Sequence, residues 1–189
     1  MDNYTNELIE KLKRTEFRNG NHILSYADGI NLLVEEFTQK KKKGSKVYFI
    51  GNGGSAAIAS HMIADYMKNG GMNTCSLYDN AVTTCMGNDY GYQDVFARPL
   101  KFLAFEGDLV VSISSSGKSE NIIRAIEAAK DNKADVITLT GFDSENPVSK
   151  MGYINVYVPC ERYGMVESIH NLILQEVVDI ITNRDGVSI

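Results

Sequence analysis

The chain has 189 residues, enough for one ordinary domain with a core of useful size, and its 43% hydrophobic and 23% charged residues exclude a disordered or fibrous chain. With 19 basic against 24 acidic residues the net charge is -5, which argues against general nucleic-acid binding, and no apolar run approaches the roughly 18 residues of a membrane helix. The N-terminus, MDNYTNELIEKLKR, lacks the apolar stretch of a secretory signal, so the cytoplasm is the expected location. Cys75, Cys85 and Cys160 stand far apart in no metal or disulfide spacing and are expected as buried thiols.

Residues 1–43 read as a helical arm: Leu8, Ile9 and Leu12, then Ile30, Leu33, Val34 and Phe37, recur at helical spacing, and Asn19-Gly20-Asn21 divides two helices. Lys40 to Lys43 before Gly44 fit the last turn of a helix ahead of a glycine cap, where the dipole favours cations, better than a nucleic-acid patch. From Gly44 onward short apolar runs at 47–50, 109–113, 136–139 and 154–158 alternate with helical stretches, and 73–77 adds a further strand. Strands alternating with helices predict βαβ units and a parallel sheet. Ile122, Ile123, Ile126 and Ala129 form the packed stripe of a covering helix, and a last helix spans about 163–182. The expected organisation is a single α/β domain over 1–189, with the arm at 1–43 and an α/β core at 44–189 that ends in the long C-terminal helix.

Two turns carry chemistry. The first strand runs into Gly51-Asn52-Gly53-Gly54-Ser55 and then a helix, which places free backbone N–H groups and a hydroxyl at a helix N-terminus, a setting that favours anions. It is neither a P-loop nor a dinucleotide fingerprint. The second turn, Ser114-Ser115-Ser116-Gly117-Lys118-Ser119, again follows a buried strand and opens a helix, and its hydroxyls can bond phosphate oxygens. Both turns fall at the carboxyl ends of strands, where open α/β sheets bind ligands, so a phosphorylated small molecule is the expected ligand.

GNGGSAAIASH, the GNDYGYQDVF segment at 87–96, SISSSGKSENI and VITLTG together resemble the sugar isomerase (SIS) domain family, and within it the phosphoheptose isomerases. The resemblance implies a flavodoxin-like parallel sheet flanked by helices, a homotetramer, and interconversion of sedoheptulose 7-phosphate with a heptose 7-phosphate through an enediol. It assigns phosphate and sugar contacts to Asn52, Gly53, Ser55, Asn88, Asp89, Ser114, Ser115, Ser116 and Ser119. It also assigns catalysis, and a set that can hold zinc, to His61, Asp65, Glu167 and Gln175. At these positions the chain departs from the family: Asp65 stands for a Glu, Gln175 for a His and Glu167 for a Gln. The loop at 67–71 is also shorter than usual and lacks an arginine.

Read on their own, His61 and Asp65 are i, i+4 on one helix face, and Glu167 and Gln175 lie roughly on one face of the last helix. Imidazole and carboxylate are ordinary zinc ligands and a Gln oxygen is a rarer one. His170 is expected as a packed residue, and Asn88-Asp89 on their own as a plain turn. In an isomerase, Asp65 would move the carbon-bound proton, and Glu167 or a metal-bound water the oxygen-bound one. The alternative is a non-catalytic SIS module that senses a sugar phosphate or acts as a tetrameric scaffold for a protein partner.

Overall fold

A computed structural model describes residues 2–186. The elements are α1 (Asp2–Lys13), β1 (Glu16–Asn19), β2 (His22–Leu24), α2 (Tyr26–Lys43), β3 (Lys46–Gly51), α3 (Gly54–Lys68), β4 (Asn73–Cys75), α4 (Asn80–Tyr90), α5 (Ala97–Leu103), β5 (Leu109–Ser114), α6 (Glu120–Asp131), β6 (Asp135–Gly141), β7 (Ile154–Val158) and α7 (Tyr163–Arg184). One sheet runs β2-β1-β7-β6-β5-β3-β4. Strands β3 to β7 are parallel, and in chain order they lie 2-1-3-4-5, the flavodoxin-like arrangement. From β3 the chain goes outward to β4 and then back across to β5. The crevice between the carboxyl ends of β3 and β5 is therefore the switch point of the sheet.

Residues 1–43 are not purely helical. Between α1 and α2 a hairpin forms, and β1 pairs antiparallel with β7. Asn19-Gly20-Asn21 is thus a hairpin turn, with Gly20 at φ +57°, a region that glycine enters without steric penalty. Phe17 is fully buried while its neighbours Glu16 and Arg18 are half-buried. An alternation this short cannot be told from a helix end by periodicity.

Hydrophobic clusters cover both faces of the sheet. Phe49, Val111, Leu139 and Val156 pack against Leu33 and Phe37 of α2, Met62 and Tyr66 of α3, and Ile173 and Val177 of α7. Tyr48, Ile50, Val110 and Val136 pack against Leu100 of α5 and Ile122, Ala125, Ile126 and Ala129 of α6, as the apolar stripe predicts. Helix α2 starts at Ser25, whose side chain accepts from the Asp28 N–H, and ends at Gly44. Its Lys40 is buried, with the ammonium bonded to Asp135 and to the Gly107 carbonyl. Only part of the thiol expectation holds: Cys160 is buried, Cys75 is half-buried and Cys85 is exposed. Cys85 stands on α4, a helix that buries none of its residues.

Candidate active site

Strands β3 and β5 are neighbours, with Gly51 in register with Ile113, so the two polar turns that follow them stand side by side. Together they wall a cavity of about 320 Å³ lined by Asn52, Gly53, Gly54, Ser55, Ile113, Ser114, Ser115, Ser116, Ser119, Tyr163 and Glu167. Every expected phosphate or sugar contact except Asn88 and Asp89 is in this lining. Among the described residues no Lys or Arg lines it, so an anion here meets hydroxyls, amides and the N-terminus of α3 rather than a cation.

The turns are held by close packing. The Tyr78 hydroxyl accepts from the Gly51 N–H at 2.8 Å and donates to the Gly51 carbonyl at 3.0 Å, and burial pushes its phenol well above the usual tyrosine range, which keeps it neutral. Gly117 has φ +61°, and a Cβ on it would lie 1.8 Å from Asn146 Oδ1. Asn146 is itself fully buried and bonded to the Ser149 N–H and to the Gly141 and Asp143 carbonyls. On the other turn, a Cβ on Gly54 would lie 2.3 Å from Glu167 Oε2, so the first residue of α3 is small because the Glu167 carboxylate packs against it. Ser115 Oγ is buried and, among the described residues, has no hydrogen-bond partner. A hydroxyl left unpaired in the wall of a polar cavity is suited to a ligand atom or water.

Asn52 is bonded on its far side to α6: its Nδ2 donates to Asn121 Oδ1 at 2.9 Å, and its Oδ1 accepts from Asn121 Nδ2 at 2.8 Å and from the Tyr92 hydroxyl at 2.9 Å. Asn121, Tyr92 and the cavity-lining Tyr163 were not singled out from the sequence. Asn121 and Tyr92 stand inside the quoted motifs, and a polar residue on the first turn of a helix after a serine turn was the available signal for Asn121.

The four residues expected to carry catalysis divide between two places. His61 Nε2 lies 3.0 Å from Asp65 Oδ2, and Gln175 Nε2 donates to that same oxygen at 2.5 Å. Glu167 stands in the cavity wall, with its carboxylate packed against Gly54 at the start of α3. Gln175 meets Asp65 through its amide nitrogen, which is not a metal ligand, and among the described residues no three His, Cys, Asp or Glu side chains are grouped so as to hold a metal ion. As they stand in one chain, the four side chains are not gathered around a common centre. Asn88 and Asp89, read alone as a turn, occupy the last helical turn of α4 before Gly91. They are exposed, and the Asp89 carboxylate contacts Asn88 and Cys85 rather than the cavity.

His170 is fully buried on α7, with Nε2 3.1 Å from the Thr140 carbonyl and Nδ1 unpartnered among the described residues. Burial lowers its pKa to about 4, so it is a neutral packed residue, as expected. Among the described residues no helix is long and apolar enough to cross a membrane.

An α/β domain with a crevice lined by glycine and serine turns at its switch point is the class these features define. A family model described as SIS domain matches residues 4–141. The phosphoheptose isomerase of Sulfurimonas denitrificans is 34% identical with 100% of both chains covered. That of Helicobacter hepaticus is 32% identical over 95% of this chain and 94% of its own. The structure of a phosphoheptose isomerase from Neisseria gonorrhoeae superposes with a TM-score of 0.82 at 30% identity, covering 95% of this chain and 96% of that one. The chain belongs to the SIS domain family and is an enzyme of the phosphoheptose isomerase type.

Proposed function

We propose that the enzyme interconverts sedoheptulose 7-phosphate and D-glycero-D-manno-heptose 7-phosphate, in the cytoplasm and as a homotetramer. The observation that carries this reading is the serine-lined cavity at the switch point with a carboxylate, Glu167, in its wall. Ser55, Ser114, Ser115, Ser116 and Ser119 bind the phosphate, and Asn52 and Asp89 meet sugar hydroxyls. Holding the phosphate sets the register of the carbons that react, which is where much of the rate arises. Asp65 removes the proton from one carbon and returns it to the next. Among the described residues both its contacts fall on Oδ2, which leaves Oδ1 to take the proton. Glu167 moves the proton between the two oxygens.

The tetramer reading is supported by the surface of the chain. Helix α4 buries none of its residues although it carries Val82 and Tyr90, and short helices without packing are marginal in water. Cover from another copy would stabilise α4 and enclose Asn88 and Asp89.

The test is a turnover assay with sedoheptulose 7-phosphate in deuterated water, followed by NMR, on the wild type, D65N and E167Q. Aldose formation with solvent deuterium at the carbon next to the carbonyl, lost in both variants, is the expected result. Saturable binding without turnover would overturn the isomerase reading for that substrate.

A further inference from the structure

Asn52 faces a ligand with whatever polar capacity its other contacts leave it. An amide oxygen accepts at two sites and an amide nitrogen donates two protons. Asn52 Oδ1 already accepts from Asn121 Nδ2 and from the Tyr92 hydroxyl, and one Nδ2 proton goes to Asn121 Oδ1. A single N–H remains. Asn121 does not line the serine cavity; it is 3% exposed on the first turn of α6 and, with Asn52, Tyr92 and Ser119, borders a second hollow beside it.

We propose that Asn121 is a positioning residue that holds the Asn52 amide in place at the edge of the cavity. Two amides bonded to each other in both directions fix one another's planes, and the Tyr92 hydroxyl bonds the Asn52 oxygen from the other side. Without Asn121 the Asn52 side chain keeps the Tyr92 contact alone and is free to turn about it, so it meets a ligand in the required orientation only part of the time. Loss of a buried polar partner is costly. This rests on the serine cavity being the phosphosugar site proposed above.

The test uses the full-length enzyme as wild type, N121A, N121D, N52A and N52A/N121A. N121A and N121D each lower kcat/KM for the sugar phosphate by about tenfold, while the affinity for inorganic phosphate, held by the serines, stays within about twofold. N52A/N121A is no worse than N52A, because Asn121 acts only through Asn52. Losses that multiply in the double variant, or phosphate affinity that falls in step with kcat/KM, would overturn the proposal. A second readout needs no ligand. In the free wild type the Asn52 side-chain amide protons exchange slowly and resonate apart by NMR, and both Asn121 variants speed that exchange. Exchange unchanged in both variants overturns the pairing. Exchange that responds in an enzyme that neither binds nor converts a sugar phosphate supports the pairing and overturns the functional reading instead.

Discussion

The serine cavity and the Asp65 cluster share two helices and are built in opposite ways. Helix α3 gives its first turn to the cavity and its third and fourth to the cluster, and α7 gives Glu167 to one and Gln175 to the other. The cavity is made of turns at the ends of adjacent strands with short buried side chains; Ser55, Ser114 and Ser115 are all at most 5% exposed. The cluster is three side chains on a helical surface, and the His61 side chain is 55% exposed. The polar wall of the cavity follows from backbone geometry and is assembled within one chain. Proton transfer needs water excluded, and within one chain the cluster is open. Phosphate binding and the step proposed for Asp65 should therefore separate under mutation.

The largest effect tests that separation. Asp65→Asn removes the proposed proton acceptor but keeps the shape and the contact with Gln175, so turnover falls by at least about 10²-fold. Phosphate affinity, measured by calorimetry, is unchanged. An equal loss of affinity would mean that the two regions are one site. Gly117→Ala is the reverse case. Its Cβ meets Asn146 Oδ1 and its φ is positive, so Asn146 must give up bonds to three backbone groups. Strain and lost hydrogen bonds together cost about 4 kcal/mol, and the remaining folded protein binds phosphate weakly. Denaturant unfolding and calorimetry on the same sample read both.

This division also explains what the sequence made legible. The cavity was readable because glycines and serines after a strand leave few backbone options, and each turn is contiguous in the chain. The parallel sheet was readable from buried runs of β-branched residues. The hairpin at 16–24 was not, since three or four residues of alternation between two helices carry too little periodicity. Nor was the separation of Glu167 from Gln175. Eight residues on one helix face say that two side chains point the same way, but the groups they meet belong to α3, and the axial offset depends on how α3 and α7 pack. Asn121 escaped for the same reason: its partner Asn52 is 69 positions away.

His170 lies on α7 between the two regions and joins the helix to β6 through the Thr140 carbonyl. Its folded pKa of about 4 is below the value of about 6.5 in an unfolded chain. Above pH 6.5 it is neutral in both states and adds no pH dependence. As pH falls from 6.5 toward 4 the unfolded chain takes up a proton that the folded one refuses, so stability declines by up to about 3 kcal/mol and the decline stops near pH 4. Unfolding of wild type and His170→Asn from pH 7.5 to 4.5 isolates this from the carboxylates. The wild type should lose more stability than the variant over that range. Parallel curves would mean that His170 is not held neutral.

The smallest effect discriminates most finely, because it compares two serines on one strand and turn. Ser112 Oγ and Ser115 Oγ are both buried and both without a partner among the described residues. Ser115 lines the cavity; Ser112 does not, standing in the sheet in register with Ile50 and Thr138. In either case alanine removes an unsatisfied hydroxyl, so neither variant loses stability and each gains up to about 1 kcal/mol. Their affinities for phosphate should differ. Ser115→Ala weakens binding by about tenfold, the worth of one hydrogen bond to a charged group, whereas Ser112→Ala leaves it unchanged. An unpaired buried hydroxyl is a cost to the fold, and one that faces a cavity is offset only when a ligand arrives. If both variants bound phosphate like the wild type, the Ser115 hydroxyl would be a packing defect like that of Ser112, and the cradle would rest on its backbone amides and its other serines.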